Sequence, residues 1–223
     1  MPQPESLPEK DCETEIDSDA SAAEYQQALE DVNIVKLGFI VEGALAALAL
    51  GIGYLGFYDL PQPLNSITTE TWRQALLWGV VGMGPMLVYL IVFHFWPVGI
   101  LRDMRTFVDE NLTQIFRGLG LHHLLIISLL AGFCEEILFR WCLQGGIAAM
   151  IGGQSGMIVG LLVASLFFGI CHWVNFSYAF CTTVVGIYFG AMMIWTGTWL
   201  APAVTHTLFD FVALIYICRS APK

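Results

Sequence analysis

Glu135, Glu136 and Arg140 stand together in an otherwise apolar run, Cys-Glu-Glu-Ile-Leu-Phe-Arg. Phe168 and His172 close a second apolar run, and His206 and Asp210 sit inside a third. Each group contains an i,i+4 pair, the spacing that puts two side chains on one face of a helix. Ionisable groups in an apolar setting are costly and tend to mark function. Glu136 and Arg140 can neutralise each other as a structural ion pair. Glu135 is rotated by about 100° from Glu136 on a helix of 3.6 residues per turn. It is therefore left for another partner, and its surroundings can tune it as a general base.

Two chemistries fit these residues. Glu135, His172 and His206 could bind a catalytic zinc, a two-histidine, one-glutamate ligand set with a position open for water. Alternatively, Glu135 and His172 activate water without metal, and His206 helps to stabilise the oxyanion with Asp210 holding it in place. The chain has no HExxH, so an ordinary zincin site is not expected. Ionic pairs that merely tie helices together would explain any one motif. Three such motifs in three separate apolar helices are harder to explain as packing. His94, next to Phe95, Trp96 and Pro97, reads as a membrane-interface residue, as do His122 and His123.

The elements that must position these groups are membrane-spanning helices. Six apolar runs approach the ~20 residues needed to cross a bilayer. They cover residues 34–57, 75–95, 121–145, 156–173, 178–197 and 199–218. Only Thr196-Gly197-Thr198 separates the last two, which predicts a tight turn. Residues 96–119 are expected to include a helix lying at the interface. Arg102, Arg105 and Arg117 fall in that loop, with Lys36 before it and Arg219 and Lys223 after the sixth run. Basic residues favour the cytoplasmic side, so both termini are expected there, in the cell membrane. The first run is rich in small residues, among them Gly38, Gly43 and Gly51, which allow close helix packing in lipid. It also holds Glu42, which suits a functional role or a structural one facing the bundle.

Composition supports a bilayer as the solvent. Of 223 residues, 57% are hydrophobic and 13% charged, against about 25% charged in a soluble domain, and the mean hydropathy is +0.68. The net charge of -10 belongs to one end: ten of the 19 acids, and a single base, fall within residues 1–31. Such a segment is expected to be disordered. The expected organisation is thus an acidic cytoplasmic tail over 1–33, two spans and an interfacial loop over 34–119, and a catalytic helical bundle over 120–218. Nothing in this charge pattern points to nucleic acid as a partner.

With these motifs the sequence resembles the CAAX protease and bacteriocin-processing family. That family carries EExxxR, FxxxH and HxxxN or HxxxD, each on a membrane helix. Here they are Glu135, Glu136 and Arg140; Phe168 and His172; His206 and Asp210. The resemblance covers roughly residues 120–215. It implies an all-α intramembrane endopeptidase acting on a membrane-associated protein or peptide, in which Glu135 and His172 activate water and His206 and Asp210 complete the site. Trp141 stands where the family often has Gly, and Asp210 replaces the commoner Asn. Two other functions compete. Buried Glu and His also build proton relays, which would make the chain a proton-coupled transporter, though no broken helices recur in matching halves. A family member can also serve as a non-catalytic immunity protein.

Overall fold

The computed structural model describes residues 34–55 and 66–220. The acidic tail expected over 1–33 lies outside them. Among the described residues the chain is all helical, without strands. The helices are α1 (Ile34–Tyr54), α2 (Thr69–Phe95), α3 (Ile100–Phe107), α4 (Thr113–Phe116), α5 (Leu121–Glu136), α6 (Gly145–Ile151), α7 (Gly153–Cys171), α8 (Phe176–Thr196) and α9 (Leu200–Ser220). Two π-helical segments, Val108–Leu112 and Ile137–Gln144, join α3 to α4 and α5 to α6. Six helical runs are long and apolar enough to cross a membrane, with α5, its π segment and α6 forming one run of 31 residues, Leu121–Ile151. The chain is an integral membrane protein.

The expected order of spans holds, but two boundaries move. The second span begins at Thr69 rather than near 75. Thr68 caps it: its Oγ1 accepts from the Thr71 amide at 3.2 Å, and the Thr68 amide donates to Thr71 Oγ1 at 3.2 Å. The first turn is polar and exposed, with Arg73 paired to Glu70 at 2.6 Å, so hydropathy alone hides it. The third span runs on to Ile151, where Gly152 (φ 77°) and Gly153 (φ 61°) turn the chain directly into α7. Positive φ at two successive positions suits glycine, which has no Cβ to clash. The Thr196-Gly197-Thr198 turn is present as expected, with Gly197 in the left-handed conformation.

In lipid no hydrophobic force drives helices together, so close approach depends on small residues. Helix α9 is the centre of the bundle, packed between α5 and α2. Its first two turns, Leu200 to Thr207, are buried. A Cβ on Gly132 of α5 would lie 2.6 Å from the Thr207 amide nitrogen, and one on Gly79 of α2 would lie 3.2 Å from the Ala201 carbonyl oxygen. Thr205 Oγ1 also donates to the Gly79 carbonyl at 2.8 Å. Helices α7 and α8 pack in the same way, with a Cβ on Gly169 placed 2.6 Å from the Ala179 carbonyl oxygen. The glycine-rich first span behaves differently: nothing lies within 4 Å of a Cβ built on Gly43 or Gly51. Ala49, fully buried against the core around Trp141, is instead a contact point of α1.

Between the second and third spans, where a helix is expected, the chain forms α3. Arg105 Nη1 donates to the His94 carbonyl at 2.7 Å. Ser177 Oγ donates to Asp103 Oδ2 at 3.3 Å, which ties α3 to the start of α8. His94 itself meets Tyr216 of α9, Nδ1 to hydroxyl at 2.6 Å, so this histidine joins two spans rather than simply lining an interface.

Candidate active site

The seven residues of the three motifs converge. Glu135 and Glu136 end α5, and Arg140 lies in the π segment that follows. A π-helix bonds i to i+5 and often marks functional sites as a local widening of an α-helix. Even so, Glu136 Oε2 and Arg140 Nε remain 2.9 Å apart, with both side chains fully buried. The expected ion pair is present. The Arg140 guanidinium also lies over the Phe168 ring, 5.0 Å from its centroid, and 6.0 Å from that of Phe189. Ring faces attract a cation, most strongly when it is desolvated.

Glu135 points elsewhere, as the helical repeat requires. Its Oε1 lies 3.7 Å from His172 Nε2, and its Oε2 lies 3.9 Å from His206 Nε2. His172 is the C-cap of α7, outside the helix at φ -97° and ψ 21°. Its Nδ1–H donates to the Phe168 carbonyl at 2.7 Å. A carbonyl only accepts, so the proton sits on Nδ1, and the neutral ring presents a lone pair at Nε2, towards Glu135. Phe168 thus serves twice, with its carbonyl setting the tautomer of His172 and its ring flanking Arg140. Hydropathy placed His172 at one end of its span and Glu135 in the middle of another. The end of α7 nevertheless comes to the level of Glu135, and the chain turns there before Asn175 caps α8, accepting from the Tyr178 amide at 2.8 Å.

His206 has a carboxylate at each ring nitrogen. Nδ1 meets Glu136 Oε1 at 3.2 Å, and Nε2 meets Asp210 Oδ2 at 3.4 Å. It therefore links the Glu136–Arg140 pair to Glu135 and Asp210. The ring lies nearly parallel to Phe189, with centroids 4.8 Å apart. Glu42 lies on α1, which packs against α5 and the π segment that follows it. Its Oε2 is buried without a hydrogen-bond partner.

Glu135, His172, His206 and Asp210 face a mainly apolar cavity of about 310 Å³, bounded on another side by Met104 of α3 and Val108 of the π segment that follows it. Trp141, the residue in place of the usual glycine, does not border it. Its side chain packs with Trp199, Leu200 and Ala49 on the other side of the third span. The His122 and His123 rings lie 3.9 Å apart between centroids with their planes tilted by 44°, apart from the cluster.

The donor types at Glu135, His172 and His206 suit zinc, which needs its ligands at about 2.0–2.2 Å. Among the described residues, however, no three His, Cys, Asp or Glu side chains form a group able to hold a metal ion. The two histidines face different oxygens of Glu135, and His206 Nε2 already meets Asp210. The arrangement as it stands does not form a zinc ligand set.

Residues 117–212 match the family model described as type II CAAX prenyl endopeptidase Rce1-like. An uncharacterized protein of Bacillus subtilis (strain 168), YpbD, is 31% identical over 105 residues, covering 44% of this chain and 48% of that protein. The chain thus spans about half the length of this curated relative. No solved structure matches it significantly. The matched stretch begins just before α5 and ends two residues after Asp210, so it includes every residue of the converging cluster. Over residues 117–212 the chain is similar to the Rce1-like family of type II CAAX prenyl endopeptidases.

Proposed function

We propose that the protein is an intramembrane endopeptidase that hydrolyses a peptide bond of a membrane-associated protein or peptide, with Glu135 as general base. The observation that carries this reading is the pairing of Glu135 with His172. Their facing atoms are 3.7 Å apart, too far for a direct hydrogen bond and suited to one water about 2.8 Å from each. Both facing atoms are acceptors, so such a water can donate one proton to each and direct an oxygen lone pair into the cavity.

The reaction balances with the residues present. The water oxygen bonds to the scissile carbonyl carbon, its proton passes to the Glu135 carboxylate, and the carbonyl π pair moves onto oxygen. When the tetrahedral intermediate collapses, C=O re-forms, the C–N bond breaks, and the leaving nitrogen takes the proton from Glu135. His172 orients the water through Nε2. The sequence reading gave His206 and Asp210 a share in stabilising the oxyanion. Because both nitrogens of His206 meet carboxylates, we assign it a positioning role towards Glu135, with Asp210 fixing the ring.

The substrate reaches the site through the cavity beside α3. The basic residues of that segment favour the cytoplasmic side, which would place both termini there. The apolar lining suits an apolar peptide segment or a lipid-modified one. The test is cleavage of a membrane-peptide library by the purified protein in detergent, read by mass spectrometry, with and without a chelator. Chelator-resistant cleavage supports the metal-free mechanism, and chelator-sensitive cleavage contradicts it. No cleavage, together with proton flux in liposomes, would contradict the protease reading.

A further inference from the structure

A hydrolase that builds negative charge on a carbonyl oxygen needs hydrogen-bond donors aimed at that oxygen. At this cluster the obvious candidates are already engaged. Asp210 and Glu135, when ionised, can only accept. His172 has its one N–H on the Phe168 carbonyl. His206, when protonated, directs both N–H groups at Glu136 and Asp210, and in either neutral tautomer its single N–H still meets a carboxylate.

The hydroxyls around the cavity narrow the choice further. Tyr89 donates to Met104 Sδ at 3.3 Å, Thr182 donates to the Tyr178 carbonyl at 2.8 Å, and the Tyr216 hydroxyl is held by His94 at 2.6 Å. Cys181 offers only a thiol, a weak donor. Tyr178 borders the same cavity as Glu135, His172, His206 and Asp210. Among the described residues its hydroxyl makes no hydrogen bond, although its backbone amide and carbonyl do. The ring is fixed from two sides. It lies 25° from the plane of His172 with centroids 6.4 Å apart, and it meets Phe107 edge-on at 5.6 Å.

We propose that the Tyr178 hydroxyl is a catalytic residue that donates a hydrogen bond to the substrate carbonyl oxygen as negative charge develops on it. This rests on the endopeptidase reading above. No bond of the tyrosine is broken: the phenol keeps its proton and releases the oxygen when C=O re-forms. The same phenol would distinguish a substrate carbonyl from a bare apolar segment, because it is a neutral donor placed beside acceptor-only groups.

The experiment compares wild type, Tyr178→Phe, Asp210→Asn and the double variant on the best-cleaved library peptide. Tyr178→Phe keeps both ring contacts, so the fold is expected to be unchanged by detergent thermal melting. The expected result is a fall in kcat of about 100-fold, the effect of losing one oxyanion donor, with KM within about twofold. Asn at 210 supplies an amide N–H in place of an acceptor-only carboxylate. The Tyr178→Phe penalty measured in the Asp210→Asn background should therefore shrink markedly. Unchanged kcat in Tyr178→Phe, or a change confined to KM, would overturn the proposal while leaving the endopeptidase reading intact. Absence of wild-type cleavage together with proton flux in liposomes would instead sink that reading, and this inference with it.

Discussion

His172 Nε2 faces Glu135 Oε1 at 3.7 Å while Nδ1 of the same ring is tied to the Phe168 carbonyl at 2.7 Å. The backbone contact fixes which nitrogen carries the proton, and the side-chain contact fixes where the remaining lone pair points. Two residues on different helices thereby present converging acceptors to one small volume. The pair also suggests which perturbations should affect chemistry and which should affect the fold.

Removing the histidine tests the chemical side. His172→Ala should lower kcat by about 10²–10⁴-fold, the usual range for a lost acid–base group. It should leave the melting temperature in detergent close to wild type. The side chain borders the cavity with 27% of its surface exposed, and it closes α7 rather than filling its interior. A large loss of thermal stability would show that the ring is chiefly structural.

The Glu136–Arg140 pair should behave in the opposite way. Both side chains are fully buried, and Glu136 also accepts from His206. Deleting one partner leaves the other charge buried without compensation, which costs about 3–5 kcal/mol. Arg140→Ala and Glu136→Ala should therefore lower the melting temperature or the folded yield, as well as any activity. A stable, well-folded Arg140→Ala would contradict the structural role.

Gly132 tests how closely the site depends on helix approach. A Cβ there would lie 2.6 Å from the Thr207 nitrogen and 2.9 Å from its Cα, both in rigid backbone. Gly132→Ala must push α5 from α9 next to His206. Overpacking typically costs about 1–3 kcal/mol. Activity should fall more than stability, since Glu135 and His206 sit on the two helices being separated. Gly43→Ala in α1 is the control, with open space around it and no expected effect on activity.

Much of this was legible in the sequence, for physical reasons that differ by element. Long apolar runs and the Thr-Gly-Thr turn are direct consequences of a lipid solvent and of glycine's backbone freedom. The i,i+4 spacing of Glu136 and Arg140 was enough to anticipate their pairing. Other features leave weaker traces. The π segment over Ile137–Gln144 has no compositional signature. The capped first turn of α2 is too polar for a hydropathy window. The carbonyl of Phe168 is invisible as a functional group because every residue has one. Tyr178 carries no signal of its own in the sequence, since a tyrosine near a helix start is common. Its relevance comes from what its neighbours already bond. The glycines of α1 gave a signal for close packing that at Gly43 and Gly51 does not correspond to contact, whereas Gly79, Gly132 and Gly169 do.

The most direct measurement is library cleavage by wild type and by Glu135→Gln, purified side by side in detergent with matched melting temperatures. The substitution keeps the size of the side chain but replaces the carboxylate with a neutral amide that cannot take a proton from water. The account predicts products from wild type and none from Glu135→Gln. Equal cleavage by both would contradict the assignment of Glu135 as the base, and with it the mechanism built on its contact with His172.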